Sequence, residues 1–533
     1  MIINSDNKAQ PQPPLRLKAL TYFYTSRLPT TTITMQSSLV VGLLTLGALY
    51  LALVILLHAT QDKREPFPLA TSFPFFGPII GGIKYKVKYV RKLRDEYQLP
   101  ICTLRLPFSR LYIVNTPALI QAVNLQANTI SFDNVGRDFG FLFSGLEQVS
   151  QDILEKAYNG DGNGFTSLVH QYLTGGPFLH NASRAAAVHL ASSVPQFLGG
   201  VPLNLFDTVR HALTMALTDT VYGPHNPFRD PEIEANWLAF LPGISHLMYS
   251  PLASFTARKN LLARDKVILA FTHYFETNGH LLASQMIQEM YATNLDYGLS
   301  IQECAKMEIA TSLALLSSGS ITAFWFILHV ISDASVLDSV RGEILANVVS
   351  QGSNGSLIVN LSKIKALCPI MMAVFHESMR FHSTVMSAKT VKHDLIFADT
   401  YLLKAGSTLV IPGPVVHSDA NLWGATVDSF DHHRFMDIKR HTPTSSFRPF
   451  GSGSSMCPGR HFSTNVILSL AVMIVLQFDV SPTDTEGLWI LPTTEFADLW
   501  NAMPKPDHDV SVELTSRKEV AGIEMKFVWG ENN

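Results

Sequence analysis

The chain has 533 residues, 47% of them hydrophobic and 16% charged, so it has ample material for a large core. Its 40 basic and 43 acidic side chains give a net charge of -3, which excludes the basic excess typical of nucleic-acid binding. The four cysteines, Cys102, Cys304, Cys368 and Cys457, lack the close pairing of a disulfide framework or a structural zinc site. These properties fit one large catalytic unit after a short N-terminal segment.

An apolar run near the N-terminus predicts a transmembrane anchor over residues 35–60. The run reads LVVGLLTLGALYLALVILLH at 39–58 and is followed by no charged side chain before Asp62. Its length as a helix matches the roughly 30 Å of a hydrocarbon core. A cleaved signal peptide, the alternative, has an apolar stretch of only about 7–15 residues. Basic residues are more numerous after the run than before it, which predicts that the C-terminal body faces the cytosol.

Two further segments flank the predicted anchor. Residues 1–34 are polar and irregular, and Met35 stands directly before the apolar run. We interpret 1–34 as an N-terminal extension, or alternatively as a gene-model artefact. Residues 61–83 contain four prolines between positions 66 and 78, which predicts a stiff, proline-rich connector, since proline cannot continue a helix. The catalytic domain is then expected over 84–533.

The body of the chain carries patterns that predict a mainly α fold with a minor β part. Residues 101–114 read as two short strands around a turn, and Pro117 opens a helix. Helix-length patterns dominate 145–380, and the longest, at 301–333, predicts one apolar helix that crosses the centre of the molecule. Short β segments follow at 385–412. A strong apolar helix is predicted at 460–477.

The sharpest chemical signal is the segment FGSGSSMCPG, which ends at Gly459. Cys457 lies just before the apolar C-terminal helix, and a helix N-terminus stabilises a thiolate. Glycines at 451, 453 and 459 allow the backbone to approach a flat cofactor and to direct amide N–H groups at the sulfur. The alternative is a buried cysteine in a glycine-rich loop.

This segment resembles the haem-binding signature of the cytochrome P450 family, F-x-x-G-x-x-x-C-x-G. The match is complete at its four fixed positions, Phe450, Gly453, Cys457 and Gly459. The resemblance implies haem b, with Cys457 as the axial thiolate ligand of the iron. It also implies the P450 fold, preceded here by one N-terminal transmembrane helix.

Two upstream motifs support the resemblance. Glu377 and Arg380 are spaced three apart, which places them on one face of a helix. Family members have an E-x-x-R pair at this place, and the segment FDHHRF resembles the one that supplies a second arginine, here Arg434. The resemblance implies that the three side chains form one buried network behind the haem, in which each charge needs its partner.

In motif detail the chain is similar to the sterol 7-hydroxylase and prostacyclin synthase branch of the microsomal P450s. The likeness lies around Cys457, in 387–394 and in Ala323-Phe324-Trp325, while the resemblance as a whole covers 66–533. We expect a fungal enzyme of secondary metabolism.

The chain departs from the family pattern at the haem propionates. Most members have Arg or His two residues before the cysteine, and here that residue is Ser455. Lys389 matches a position where the similar branch has Arg, and His170 is the second candidate for the missing cation. Buried propionates need charge-assisted partners, although a structural or solvated role for either side chain is the alternative.

A second departure lies on the long helix. Typical monooxygenases have an acid followed by a threonine there for proton delivery, whereas this chain reads SSGSIT at 317–322, without a carboxylate. Ser318 and Thr322 are the candidate catalytic residues, because hydroxyls both donate and accept protons. The alternative is that these hydroxyls bond back to the helix and serve packing.

The expected function is that of a haem-thiolate monooxygenase that oxidises a bulky apolar molecule, such as a terpenoid or steroid. By the resemblance, NADPH supplies electrons through NADPH–cytochrome P450 reductase at the endoplasmic reticulum membrane, where the protein is single-pass with a cytosolic catalytic domain. The first alternative is a haem-thiolate isomerase or dehydratase that needs neither oxygen nor reductase. The second is a non-catalytic haem carrier or sensor.

Overall fold

A computed structural model describes residues 30–69, 73–160, 165–198, 202–249, 252–436, 445–483, 486–498 and 500–530. The chain divides into one unit that ends at His58 and a second, compact unit from Ala59 to Asn533. Most of the predicted extension, residues 1–29, lies outside the described residues. Residues 30–34 belong to the first helix, α1, Thr30–Thr60.

Helix α1 contains a segment long and apolar enough to cross a membrane. Val40–Thr60 has a mean hydropathy of 2.7, and 6% of its most apolar window is buried. Two other stretches, Ile301–Ile331 and Arg460–Gln477, also qualify by length and composition, but 72% and 78% of their windows are buried within the described protein. Both of these stretches therefore belong to the core, and the N-terminal segment is the candidate anchor.

The catalytic unit is mainly helical, as predicted. The described helices that follow α1 are α2 Gly77–Tyr85, α3 Lys88–Tyr97, α4 Pro117–Leu125, α5 Asp133–Ser144, α6 Gln148–Gly160, α7 Phe165–Leu173, α8 Gly176–Ser193, α9 Leu205–Tyr222, α10 Pro231–Phe240, α11 Gly243–Tyr249, α12 Ala253–Thr256, α13 Arg258–Glu276, α14 Gln285–Asp296, α15 Ile301–Leu316, α16 Gly319–Ile331, α17 Ala334–Asn347, α18 Ile364–Leu367, α19 Pro369–His382, α20 Gly413–His417, α21 Ala420–Trp423 and α22 Arg460–Gln477. Helices α16 and α22 are almost entirely buried and pack against each other in the main apolar core.

The β part is small. Its described strands are β1 Ile101–Leu106, β2 Ser109–Val114, β3 Ile130–Ser131, β4 Leu203–Asn204, β5 Val349–Gln351, β6 Leu357–Asn360, β7 Met386–Val391, β8 Leu395–Phe397, β9 Tyr401–Leu403, β10 Thr408–Pro412, β11 Phe478–Pro482, β12 Ser511–Ser516 and β13 Met525–Val528. The largest sheet has the order β1-β2-β10-β7-β3, and the others have the orders β11-β12-β4, β13-β6-β5 and β8-β9. The predicted fold class, mainly α with a minor β part, is confirmed.

Within the segment 61–83, predicted as a connector, residues 67–69 pair with β1. The Leu69 amide N–H donates to the Thr103 carbonyl at 2.9 Å, and the Thr103 amide donates to the Phe67 carbonyl at the same distance. Residues 67–69 therefore run along the edge of β1. Pro78 stands in the first turn of α2, where its missing N–H costs nothing. The prolines exclude a continuous helix, as predicted, but they do not prevent packing against the body.

The single helix predicted over 301–333 is wrong, because the structure has two helices, α15 and α16. The break lies at Ser317 and Ser318, directly before Gly319. Serine hydroxyls compete for backbone hydrogen bonds and glycine weakens a helix, so this sequence favours an interruption. A side chain from far along the chain holds the break, since Asn501 Nδ2 donates to the Ser317 carbonyl at 3.2 Å.

Candidate active site

The loop that carries Cys457 is closed by backbone hydrogen bonds. The Cys457 amide donates to the Phe450 carbonyl at 2.9 Å, and the Met456 amide donates to the Gly453 carbonyl at 3.2 Å. Helix α22 starts at Arg460, three residues after the cysteine. The loop therefore fixes Cys457 at the N-terminal end of a buried helix, where the helix dipole favours negative charge.

Two glycines in this loop are required by its backbone. Gly451 and Gly453 have φ values of +78° and +63°, in the backbone region that residues with a side chain rarely adopt. A Cβ atom on Gly451 would lie 3.1 Å from the Ser455 carbonyl oxygen, and one on Gly453 would lie 3.0 Å from Asn124 Oδ1. A Cβ atom on Gly459 would make only an ordinary contact, 3.9 Å from the Cys457 sulfur, so Gly459 leaves space beside the sulfur.

Cys457 is the exposed cysteine, while Cys102, Cys304 and Cys368 are buried. Protein packed around the sulfur raises the pKa of the Cys457 thiol by desolvation. The backbone N–H groups of Gly459 and Arg460, together with the charge of Arg460, act in the opposite direction and lower this pKa. The residue thus has accessible surface for a ligand on one side and donors for a thiolate on the other.

The structure brings Glu377, Arg380 and Arg434 together in one buried cluster. Arg380 Nε and Nη2 donate to the two Glu377 carboxylate oxygens at 2.7 Å each. Arg434 Nε donates to Glu377 Oε1 at 3.3 Å, and its Nη2 donates to Thr426 Oγ1 at 2.7 Å. Glu377 is fully buried and Arg380 is 2% exposed, so each charge depends on the others for compensation.

His417 connects this cluster to the segment that leads into the cysteine loop. Arg380 Nη1 donates to the His417 carbonyl at 2.8 Å, and the Arg448 amide donates to His417 Nε2 at 3.1 Å. Burial lowers the pKa of His417 to about 3, and the charges of Arg380 and Arg448 add to this effect. His417 is therefore neutral, which leaves Nε2 free to accept. His417 was not predicted from the sequence.

Arg448 is a buried cation that the sequence analysis also missed. It is 1% exposed, and its Nη2 donates to Ser387 Oγ at 3.0 Å. Its Nε and Nη1 are buried, and no hydrogen-bond partner for them exists among the residues that the structure describes. Burial lowers its pKa to about 10, so it is still charged at neutral pH. The sequence feature that could have indicated it is an arginine placed directly between two apolar residues, Phe447 and Pro449.

The predicted propionate candidate Lys389 shares a strand face with the partner of Arg448. Lys389 and Ser387 are two residues apart on β7, so both side chains point to the same face. Lys389 is 1% exposed. Two buried cations therefore converge here, and the two buried N–H groups of Arg448 that lack a partner fit a carboxylate such as a haem propionate.

The other two positions considered for the propionates lie elsewhere. Ser455 Oγ donates to the Ser452 carbonyl at 3.1 Å, so it serves the loop itself. His170 is half-buried on α7, one turn before Leu173. Leu173 Cδ1 lies 4.0 Å from the position that a Cβ atom on Gly459 would occupy, so α7 passes beside the cysteine loop.

The candidate catalytic hydroxyls at the helix break already have acceptors. Ser318 Oγ donates to Asn501 Oδ1 at 2.9 Å, and Thr322 Oγ1 donates to the Ser318 carbonyl at 2.8 Å. Thr322 thus bonds back to its own helix, the arrangement considered as the alternative. Gly319 faces Ser463 of α22, whose Oγ would lie 3.6 Å from a Cβ atom at that position. Asn501 is a third residue that sequence reasoning missed.

Comparisons with known proteins agree with this geometry. The family model for cytochrome P450 matches residues 283–505, which include α15, α16, the Glu377 cluster and Cys457. The chain is 31% identical to the cytochrome P450 monooxygenase nodJ of Hypoxylon pulicicidum over 492 residues, 88% of this chain and 94% of that protein. It is 25% identical to a cytochrome P450 monooxygenase of Gibberella zeae over 89% of this chain and 93% of the relative.

A more distant similarity concerns a sterol enzyme. The rat 25-hydroxycholesterol 7-alpha-hydroxylase is 24% identical over 237 residues, 42% of this chain and 56% of that protein. Sterol 7-alpha-hydroxylase relatives are thus among the matches, in agreement with the branch expected from the motifs around Cys457.

Proposed function

The chain belongs to the cytochrome P450 family, and from this premise we propose that it oxidises a bulky apolar small molecule with molecular oxygen. The reaction consumes one O2, two electrons and two protons. It either inserts one oxygen atom into a C–H bond and releases the other as water, or removes two hydrogen atoms from the substrate and releases both oxygen atoms as water. NADPH supplies the electrons through NADPH–cytochrome P450 reductase. The observation that carries the proposal is the position of Cys457, accessible and fixed at the start of a buried helix.

Different residues of the chain bind different parts of the cofactor. Haem b, when bound through a thiolate, supplies the oxygen chemistry. Cys457 provides the thiolate, and Phe450, Gly453 and Gly459 shape the loop that presents it. Lys389 and Arg448 neutralise the propionates, with His170 as a further candidate. The cluster of Glu377, Arg380 and Arg434 holds this frame rigid from the side of α19.

The proposed substrate class is a terpenoid, a steroid or a related secondary metabolite. Support comes from the rat relative, whose name gives a sterol as its substrate. The family takes hydrophobic substrates. The Phe-rich segment at 139–143 packs at least in part as core, since Phe143 is fully buried. Its ring meets the ring of Phe139 edge-on, with 4.4 Å between the two ring centroids.

We place the protein in the endoplasmic reticulum membrane as a single-pass protein with a cytosolic catalytic domain. The apolar segment Val40–Thr60 supports the anchor. The basic residues that follow it, among them Lys84, Lys86 and Lys88, support the orientation, because positive charge is retained on the cytosolic side.

The first experiment is the reduced carbon monoxide difference spectrum of the full chain beside Cys457→Ala. The Soret shift that thiolate ligation produces is expected in the parent protein and not in Cys457→Ala. Cys368→Ala is the matched control, because Cys368 is buried and lies outside the loop, so it keeps the shift. A parent protein that binds haem without this shift would overturn the assignment of Cys457.

The second experiment tests the reaction. The protein is incubated with reductase, NADPH and a panel of steroids and terpenoids under labelled oxygen gas, and products are examined by mass spectrometry. Incorporation of one labelled atom, or an oxygen-dependent loss of hydrogen, supports monooxygenase chemistry. Products that form without oxygen, NADPH and reductase would instead support the isomerase or dehydratase alternative. The monooxygenase relatives favour the first outcome.

A further inference from the structure

We propose that Asn501 is a positioning residue that controls proton supply at the break between α15 and α16. The sequence at this break, SSGSIT, contains no carboxylate. The side chain that reaches it comes instead from a loop near the C-terminus. This inference deepens the proposed oxygen-dependent function and rests on it.

The amide of Asn501 bridges the two residues at the break. Ser318 Oγ donates to Asn501 Oδ1 at 2.9 Å, while Asn501 Nδ2 donates to the Ser317 carbonyl at 3.2 Å. The Met503 amide also donates to Oδ1, at 3.3 Å. A carbonyl can only accept and a backbone N–H can only donate, so these neighbours define which end of the amide is oxygen. Asn501 is 9% exposed, which keeps competing water low.

The loop that carries Asn501 is held by hydrogen bonds from Thr384 and Trp325 to its backbone carbonyls. Thr384 Oγ1 donates to the Asn501 carbonyl at 2.8 Å, and the Thr384 amide donates to the Ala502 carbonyl at 2.9 Å. Trp325 Nε1 donates to the Pro504 carbonyl at 2.9 Å. The loop is thus attached to the end of α19 and to α16, so Asn501 cannot move away from the break without breaking other bonds.

This arrangement determines how the Ser318 hydroxyl can handle a proton. Its own hydrogen is directed at Asn501, which leaves its lone pairs to accept from water. To pass a proton onward, the hydroxyl must leave Asn501 and later return. A neutral hydrogen bond is weak enough for this exchange, and its strength sets how readily the hydroxyl is released. Asn501 therefore regulates a serine relay where other monooxygenases use an acid beside an alcohol.

The test uses the haem-loaded full chain and needs neither substrate nor reductase. Each protein is reduced with dithionite and mixed with aerated buffer, and the rate of return to the ferric spectrum is measured in H2O and in D2O. Asn501→Ala removes the acceptor of the Ser318 hydroxyl together with the side-chain bonds to the Ser317 carbonyl and the Met503 amide. Loss of the neutral bond to Ser318 is expected to change the rate roughly 2–10-fold. We also expect the ratio between the two solvents to change, because the proton step is altered.

The matched control is Asn226→Ala. Asn226 is also buried, its Oδ1 accepts from the amide two residues later, Phe228, at 3.0 Å, and its Nδ2 donates to Thr218 Oγ1 at 2.8 Å. Its Nδ2 also donates to Asp219 Oδ1 at 2.9 Å, so its side chain, like that of Asn501, makes three hydrogen bonds, one of them here to a carboxylate. This variant is expected to lose comparable thermal stability and to keep the re-oxidation rate and the solvent ratio of the parent.

Three more variants extend the test, and two of them, Ser318→Ala and Asn501→Asp, keep the proposal testable if Asn501→Ala folds poorly. Ser318→Ala should reproduce the changed solvent ratio, and the double variant Ser318→Ala/Asn501→Ala should add no further change. Asn501→Asp replaces the neutral acceptor of Ser318 with a carboxylate, which binds the hydroxyl more tightly, so it should also change the solvent ratio. Equal effects of Asn501→Ala and Asn226→Ala, or additive effects in the double variant, would overturn the role of Asn501. A parent protein without the thiolate spectrum would instead count against the proposed function.

Discussion

The guanidinium of Arg380 binds both carboxylate oxygens of Glu377 at 2.7 Å, one helical turn away on the same buried face of α19. A bidentate pair of this kind is stronger and more directional than a single ion contact. The same guanidinium holds the His417 carbonyl, and His417 in turn holds the Arg448 amide. The pair therefore positions the segment that leads into the cysteine loop.

Replacing one member of this pair should be severely destabilising. In Arg380→Leu the Glu377 charge is left buried with only Arg434 beside it, and we expect a loss of about 3–5 kcal/mol in the free energy of unfolding. Chemical denaturation and haem content report the loss. The control is Asp428→Asn, which removes the exposed 2.7 Å ion pair with Arg91 and should cost under about 1 kcal/mol. Similar losses in both variants would contradict the structural role of the pair.

Arg448→Met should weaken haem binding without weakening the fold of the apoprotein. The variant removes two buried N–H groups that lack a partner, whose desolvation is unfavourable in the absence of a carboxylate. We expect unchanged or higher stability of the apoprotein and a roughly 10–100-fold faster transfer of haem to an excess of an apo-globin. Arg229→Met, at an exposed arginine, is the control. Haem retention equal to that of the parent would show that Arg448 does not hold a propionate.

The pH dependence of stability should carry a contribution from Glu308. Burial raises the pKa of this carboxyl to about 7. A hydrogen bond that the Tyr222 hydroxyl donates to the carboxylate at 3.0 Å acts in the opposite direction and lowers this pKa. Because the folded state keeps the proton at pH values where the unfolded state has lost it, this contribution to stability decreases as pH rises towards 7. The total is on the order of 3 kcal/mol, at about 1.4 kcal/mol for each pKa unit.

Glu308→Gln isolates this effect. The variant cannot ionise, so the difference in unfolding free energy between variant and parent should grow in favour of the variant from pH 5 to pH 7. Buried histidines such as His329, whose pKa burial lowers to about 3, act in both proteins and cancel in the difference. A difference that stays constant across this range would show that Glu308 ionises normally in the folded protein.

Removal of residues 1–58 should release the protein from membranes. This truncation deletes nearly all of the apolar segment Val40–Thr60, whose burial in lipid is the expected source of membrane attachment. After expression and fractionation, we expect the truncated protein in the supernatant and a variant that lacks only residues 1–29 in the membrane pellet. A truncated protein that requires detergent for extraction would show that the catalytic unit binds membranes by itself.

The sequence by itself determined the features that depend on residues close together in the chain. The apolar run at 39–58, the spacing of the cysteine segment and the three-residue interval between Glu377 and Arg380 are local patterns. Their physical causes, helix length, glycine backbone freedom and helix periodicity, act over a few residues. The family and the fold class followed from these patterns, and both are confirmed.

The tertiary structure decided what depends on residues far apart in the chain. Ser318 and Asn501 are separated by 183 positions, and Arg448 meets Ser387 across 61. Hydropathy along 301–333 favours one helix, although Ser317, Ser318 and Gly319 weaken it locally; the amide that holds the break reaches Ser317 only through folding. Likewise, the prolines of 61–83 predict a connector, and only the structure shows that residues 67–69 within it bond to the edge of β1. Hydrogen bonds between distant residues leave no periodic trace in a sequence, because each partner fits its own local pattern.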